Sequence, residues 1–118
     1  MKHIYDFLMK LGIGPKYTGF NYIVDLVKKA HECTTYSITK FYKEVGREHG
    51  VRWSSVERAV RAAVAGGLNR QTEEWYKYFE GLIYDATMTN KDFVAALSFM
   101  VNRGMLRLDD IKEENNNG

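Results

Sequence analysis

A chain of 118 residues, 45% apolar, with a formal net charge of +2, is long enough for one domain with its own core and needs no covalent staples. Its single cysteine, Cys33, excludes an intramolecular disulfide and suits a reducing, cytoplasmic setting. No apolar run reaches membrane-spanning length, so neither a membrane span nor a signal peptide is expected.

Taken in order, the chain reads as amphipathic helices separated by turn residues. Lys2 to Leu11 places Ile4, Phe7, Leu8 and Leu11 on one stripe, and Gly12, Gly14 and Pro15 end it. Thr18 to Ala30 turns Phe20, Ile23, Val24 and Val27 inward, with Lys28, Lys29 and His31 at the end of the helix, where cations suit its dipole. His31 to Tyr36 is polar and reads as a loop. Ser37 to His49 repeats the pattern with Ile38, Phe41, Tyr42 and Val45, and Gly50 is its left-handed stop.

Ser54 to Gly66 carries Val56, Ala59, Val60, Ala63 and Val64 on one face. Ser54, Arg58, Arg61 and Ala65 lie opposite, with Ala62 beside them and Glu57 on the flank. Ser54-x-x-Glu57 has the form of a capping box, and Gly66-Gly67 is the expected close. Glu73 to Tyr84 forms a fifth helix with Trp75, Tyr76, Phe79, Leu82 and Ile83. Thr89-x-x-Asp92 caps a sixth, with Phe93, Val94, Leu97, Met100 and Val101 inward. The fold class is therefore all-α, a compact bundle of about six helices. Residues 1–108 make the domain, and 109–118, acidic and rich in Asn, form a tail expected to be disordered. No alternation is long enough for a strand.

Two amphipathic helices joined by a short turn containing Gly form the helix-turn-helix pattern, whose second helix enters the major groove. Gly46 lies where a bulky side chain would hold the two helices apart. The charge distribution agrees. Between Lys40 and Arg70 there are seven basic residues (Lys40, Lys43, Arg47, Arg52, Arg58, Arg61, Arg70) against three acidic ones (Glu44, Glu48, Glu57). Basic charge on such a motif is what phosphate contact requires. The plain alternative is a solvated helix face with Glu57 paired to Arg61 at i, i+4.

Enzyme chemistry finds no support. There is no phosphate loop, and His3, His31 and His49 stand apart from any carboxylate or thiol at metal-ligand spacing, so neither metal nor cofactor is expected. The aromatics, Trp53 and Trp75 among them, fall mostly at core spacing rather than as a stacking surface for single strands.

Four segments in order resemble one family: LGIGPKYTGFNYI (Leu11 to Ile23), SITK (Ser37 to Lys40), SSVERAVRAAV (Ser54 to Val64) and TNKDFVAAL (Thr89 to Leu97). They are similar to the C-terminal DNA-binding effector domain of the sporulation master response regulator (stage-zero sporulation protein A) family, and the resemblance as a whole covers roughly residues 4 to 107. The resemblance implies a transcription regulator that binds double-stranded DNA, reading a short TGTCGAA-like box with helix 54–66. It makes Glu57 and Arg58 base readers and Arg61 a further contact from the same helix. Arg pairs well with guanine and Glu with the cytosine amino group, which agrees. Lys40, Lys43, Arg52, Ser54 and Ser55 would contact phosphate and position the helix.

A homodimer or tandem arrangement on DNA is also implied. In the family a receiver domain with a phosphorylated Asp controls the effector, and no such receiver lies within these residues. The chain departs from the family at Ser55 (Arg), Ala62 (His) and Lys43 (Pro), and its one proline, Pro15, is displaced by one position. Ser55 and Ala62 sustain a second reading, a helical protein-interaction module for a sigma factor or RNA polymerase that has lost specific DNA reading.

Overall fold

The structure, a computed structural model, describes residues 2–109. Among them are six α-helices and one pair of two-residue strands. The strand pair corrects the expectation of no strand. Lys2–His3 (β1) pairs in parallel with Leu106–Arg107 (β2), Lys2 opposite Leu106 and His3 opposite Arg107. Two residues are too few to show a period, so nothing in the sequence marks them.

The first helix, α1 (Ile4–Lys10), consequently starts later than Lys2. His3 secures the junction. Its Nδ1 accepts from the Tyr5 N–H at 3.1 Å, which leaves Nε2 to donate to the Asp109 carbonyl at 2.8 Å. Asp109, the first residue of the expected tail, is thus held; 110–118 lie outside the described residues.

The centre of the bundle is α2 (Gly19–Glu32), two residues longer at its end than the sequence suggests. It packs against α3 (Ile38–His49), α4 (Trp53–Asn69) and α6 (Asn90–Asn102). Phe20, Ile23, Val24 and Val27, its predicted stripe, are buried, as are Ile4, Phe7, Leu8 and Leu11. The Ser37 hydroxyl accepts from the Lys40 N–H at 3.4 Å at the start of α3. Gly50, at φ 68°, ends α3 as expected. The Gly50 N–H donates to the Arg47 carbonyl at 3.3 Å and the Val51 N–H to the Gly46 carbonyl at 2.9 Å, which satisfies two carbonyls of the last turn.

Helix α4 corrects two expectations. It does not stop at Gly66-Gly67 but continues to Asn69. Those glycines serve close approach instead. A Cβ at Gly67 would lie 2.6 Å from the Ile13 side chain and 2.8 Å from the Leu11 carbonyl oxygen, and one at Gly66 would run into Tyr17. Nor is Ser54 a cap. The helix starts at Trp53 with Arg52 at the N-cap position, so Ser54 sits inside the first turn and the capping box is not made.

Helix α5 (Glu73–Phe79) is shorter than expected and passes into a 3-10 turn at Glu80–Leu82. Gly81 weakens the helix there. Asp85 and Ala86, at φ 51° and 61°, form a reversal closed by hydrogen bonds between Tyr84 and Thr87. The Thr89 hydroxyl accepts from the Asp92 N–H at 3.1 Å, the expected cap of α6, and Phe93, Val94, Leu97 and Met100 are buried behind it.

Candidate nucleic-acid interface

The α3–α4 corner depends on a missing side chain. A Cβ at Gly46 would lie 2.7 Å from the Val51 carbonyl oxygen, so only glycine lets the turn close this tightly on α3. Tyr42 and Val45 on α3, and Val56 and Val60 on α4, are buried, which fixes the rotation of α4. Its outward surface then carries Ser55, Arg58, Arg61, Ala62 and Ala65, all exposed. Apart from the two arginines these side chains are small, so a surface can approach the helix closely.

The basic stretch divides by role once folded. Lys29 on α2 lies 2.7 Å from Glu48 and 3.6 Å from Glu44, so both acids of α3 are engaged on the α2 side. The hydrogen bond that Lys29 donates to Glu48 raises its ammonium pKa above the ordinary lysine range and keeps it charged. Arg70, counted among the basic residues, is a structural group: its Nε donates to the Gly12 carbonyl at 3.0 Å. Lys40 and Lys43 on α3, Arg52 at the α4 N-cap and Arg58 are exposed and form no ion pair among the described residues. No side chain caps the α4 N-terminus; the Ser55 N–H donates to the Arg52 carbonyl at 3.0 Å, which leaves the Trp53 and Ser54 N–H groups for an acceptor such as phosphate.

Glu57 and Arg61 meet at 3.0 Å, the ion pair of the plain alternative, with side chains 25% and 63% exposed. An exposed i, i+4 pair contributes only about 0.3–0.5 kcal/mol. Ser54 is half-buried and Ser55 exposed, one turn before Arg58 on the same surface.

Two residues outside the expected set support this surface. Asn90, the first residue of α6, is buried. Its Nδ2 donates to the Glu57 carbonyl at 3.0 Å and to the Tyr42 hydroxyl at 3.1 Å, tying α6 to both helices of the motif. The Glu57 carbonyl can only accept, so it fixes which way the amide points. Burial holds the Tyr42 phenol above the ordinary tyrosine range, against the opposing hydrogen bond from Asn90, so Tyr42 stays neutral. A cleft of about 670 Å³ opens beside α4, bounded by Tyr42, Glu57, Arg61, Asn90 and Lys91. Asn90 was legible in the sequence only as the neighbour of a cap, because its partners lie 33 and 48 positions away.

Replacing Asn90 with Ala should lower stability by about 1–3 kcal/mol, since the Tyr42 hydroxyl and Glu57 carbonyl lose a buried donor. Asn90→Asp, isosteric but without the amide donor, should lose a similar amount in urea unfolding. Wild-type stability in both variants would show that this link does not hold the motif.

The family model described as "Sporulation initiation factor Spo0A C terminal" matches residues 4–101. The chain belongs to this family. Neither the curated proteins nor the solved structures gave a match. The Spo0A C-terminal domain is a DNA-binding effector domain of a sporulation regulator. No described helix is long and apolar enough to cross a membrane.

Proposed function

We propose that this domain binds double-stranded DNA sequence-specifically as a transcription regulator, with α4 in the major groove. One observation carries the reading: the exposed face of α4 presents Arg58 and Arg61 among small side chains, beside an uncapped helix start, while the acids of α3 are engaged elsewhere. Glu57 and Arg58 read adjacent cytosine and guanine, and Arg61 adds a contact once released from Glu57. Lys40, Lys43, Arg52, Ser54 and Ser55 hold the phosphates on either side. The target is a TGTCGAA-like box bound in tandem or dimeric arrangement. Ser55 and Ala62, where the family carries Arg and His, remove two contacts and shift the preferred flanks.

Fluorescence anisotropy on a TGTCGAA duplex and a scrambled duplex, at two salt concentrations, tests this. Arg58→Ala should cost about 1–3 kcal/mol on the specific duplex and relax specificity at one guanine. Lys40→Ala should weaken both duplexes alike and reduce the salt slope by about 0.9, one phosphate contact. Equal losses on both duplexes for Arg58→Ala would contradict base reading. Weak binding that ignores sequence, with no duplex recovered by selection from a random pool, would favour the interaction module for a sigma factor or RNA polymerase.

A further inference from the structure

The two tryptophans are placed in opposite ways. Trp75 is wholly buried, whereas Trp53, expected in the core from its spacing, is 46% exposed as the first residue of α4. Positions 53, 57 and 61 follow one i, i+4 row along the helix, so Trp53 heads the row that continues with Glu57 and Arg61. Side chains on a helix lean toward its N-terminus, and in a helix-turn-helix that end of the second helix reaches the base edges.

Trp53 is also held. Its ring lies nearly parallel to that of buried Tyr42, with centroids 6.4 Å apart and 21° between planes. The Tyr42 hydroxyl accepts from Asn90, which simultaneously grips the Glu57 carbonyl. Tyr42, Glu57 and the α6 start are thereby tied to one another, and the indole lies beside them. No hydrogen bond to the indole N–H exists among the described residues. The outcome is an exposed, planar apolar surface at the N-terminal end of α4. The major groove offers one apolar group for such a surface, the C5 methyl of thymine.

We infer that Trp53 reads a thymine through its methyl group, next to the base pairs contacted by Glu57 and Arg58. The inference rests on the DNA-reading proposal above and adds a position to the code that the arginines do not supply. Arg52 and Ser55, both exposed near Trp53, keep the phosphate role proposed above.

The test uses the tightest duplex recovered by selection from a random pool, with each thymine of both strands replaced in turn by deoxyuridine, which removes only the methyl. Wild-type protein should lose about three- to five-fold in affinity at one thymine, the value of one buried methyl. Trp53→Ala should be insensitive to that replacement and bind the unmodified duplex with the same loss. Trp53→Phe should retain part of the sensitivity. Circular dichroism melting confirms that the variants fold. If no deoxyuridine duplex is discriminated, or Trp53→Ala discriminates as wild type does, the inference is overturned while DNA reading stands. A uniform loss for Trp53→Ala on every duplex would assign the indole N–H to phosphate and overturn it as well. If selection recovers no preferred duplex, the DNA-reading proposal fails and this inference with it.

Discussion

Trp75→Ala should destabilise the domain by about 3–5 kcal/mol, the largest effect expected from any substitution considered. The indole has no exposed surface and packs on Phe79 and Phe93, with ring centroids 5.3 and 5.6 Å away. Truncation therefore leaves a cavity that rigid helices cannot fully close. It also removes a hydrogen bond: Nε1 donates to the Leu11 carbonyl at 2.9 Å in a buried setting. Trp75→Phe keeps a six-membered ring in the core and removes the donor with the remainder of the indole, so it should cost less than Trp75→Ala, about 1–3 kcal/mol. Urea unfolding followed by circular dichroism measures both. Since domains of this size are stable by only about 5–15 kcal/mol, Trp75→Ala stands close to the limit of folding. A loss under about 1 kcal/mol would mean the core can repack around the hole.

Gly19→Ala is the second. A Cβ at Gly19, in the first turn of α2, would strike the Ala59 carbonyl oxygen and lie 2.8 Å from its carbon and 3.0 Å from the Val60 Cα. All three are backbone atoms of α4, so no side chain can swing aside. Alanine would ordinarily favour a helix by up to about 1 kcal/mol over glycine. Here the forced separation of α2 and α4 outweighs that, and a net loss of roughly 2–3 kcal/mol is expected. DNA affinity should fall with it, because α2 is the seat on which α4 presents Arg58. Gly14→Ala is the control, since a Cβ there meets nothing within 4 Å. Thermal melting of the two variants should separate them clearly, and equal midpoints would show that the helices slide freely at this contact.

Much of the motif was legible because its signals are local. Ile38, Phe41, Tyr42 and Val45 show their face by spacing alone, Gly50 takes the left-handed stop, and Thr89 caps α6 through its own neighbour Asp92. The same local grammar misread Gly66-Gly67 and Ser54. A glycine near the end of a helical pattern reads as a stop, but at Gly67 the deciding atoms belong to Leu11 and Ile13. Ser54-x-x-Glu57 reads as a cap, but α4 starts at Trp53 and holds Ser54 inside its first turn.

The candidate site divides along the same line. Arg58, Arg61 and the basic stretch are visible in the sequence because they recur at helical spacing within about thirty residues. What the stretch leaves available for DNA was a tertiary matter. Lys29 engages Glu44 and Glu48 from another helix, Arg70 turns back to Gly12, and Asn90 reaches Glu57 across the core.

The sequence by itself determined the helical class, the family and the order of the two motif helices, since periodicity, caps and short motifs act between residues a few positions apart. Tertiary structure alone decided where α4 begins and ends, which charges remain uncommitted and which tryptophan faces outward. Each of those outcomes depends on atoms brought together from distant parts of the chain, and a local pattern holds no record of them.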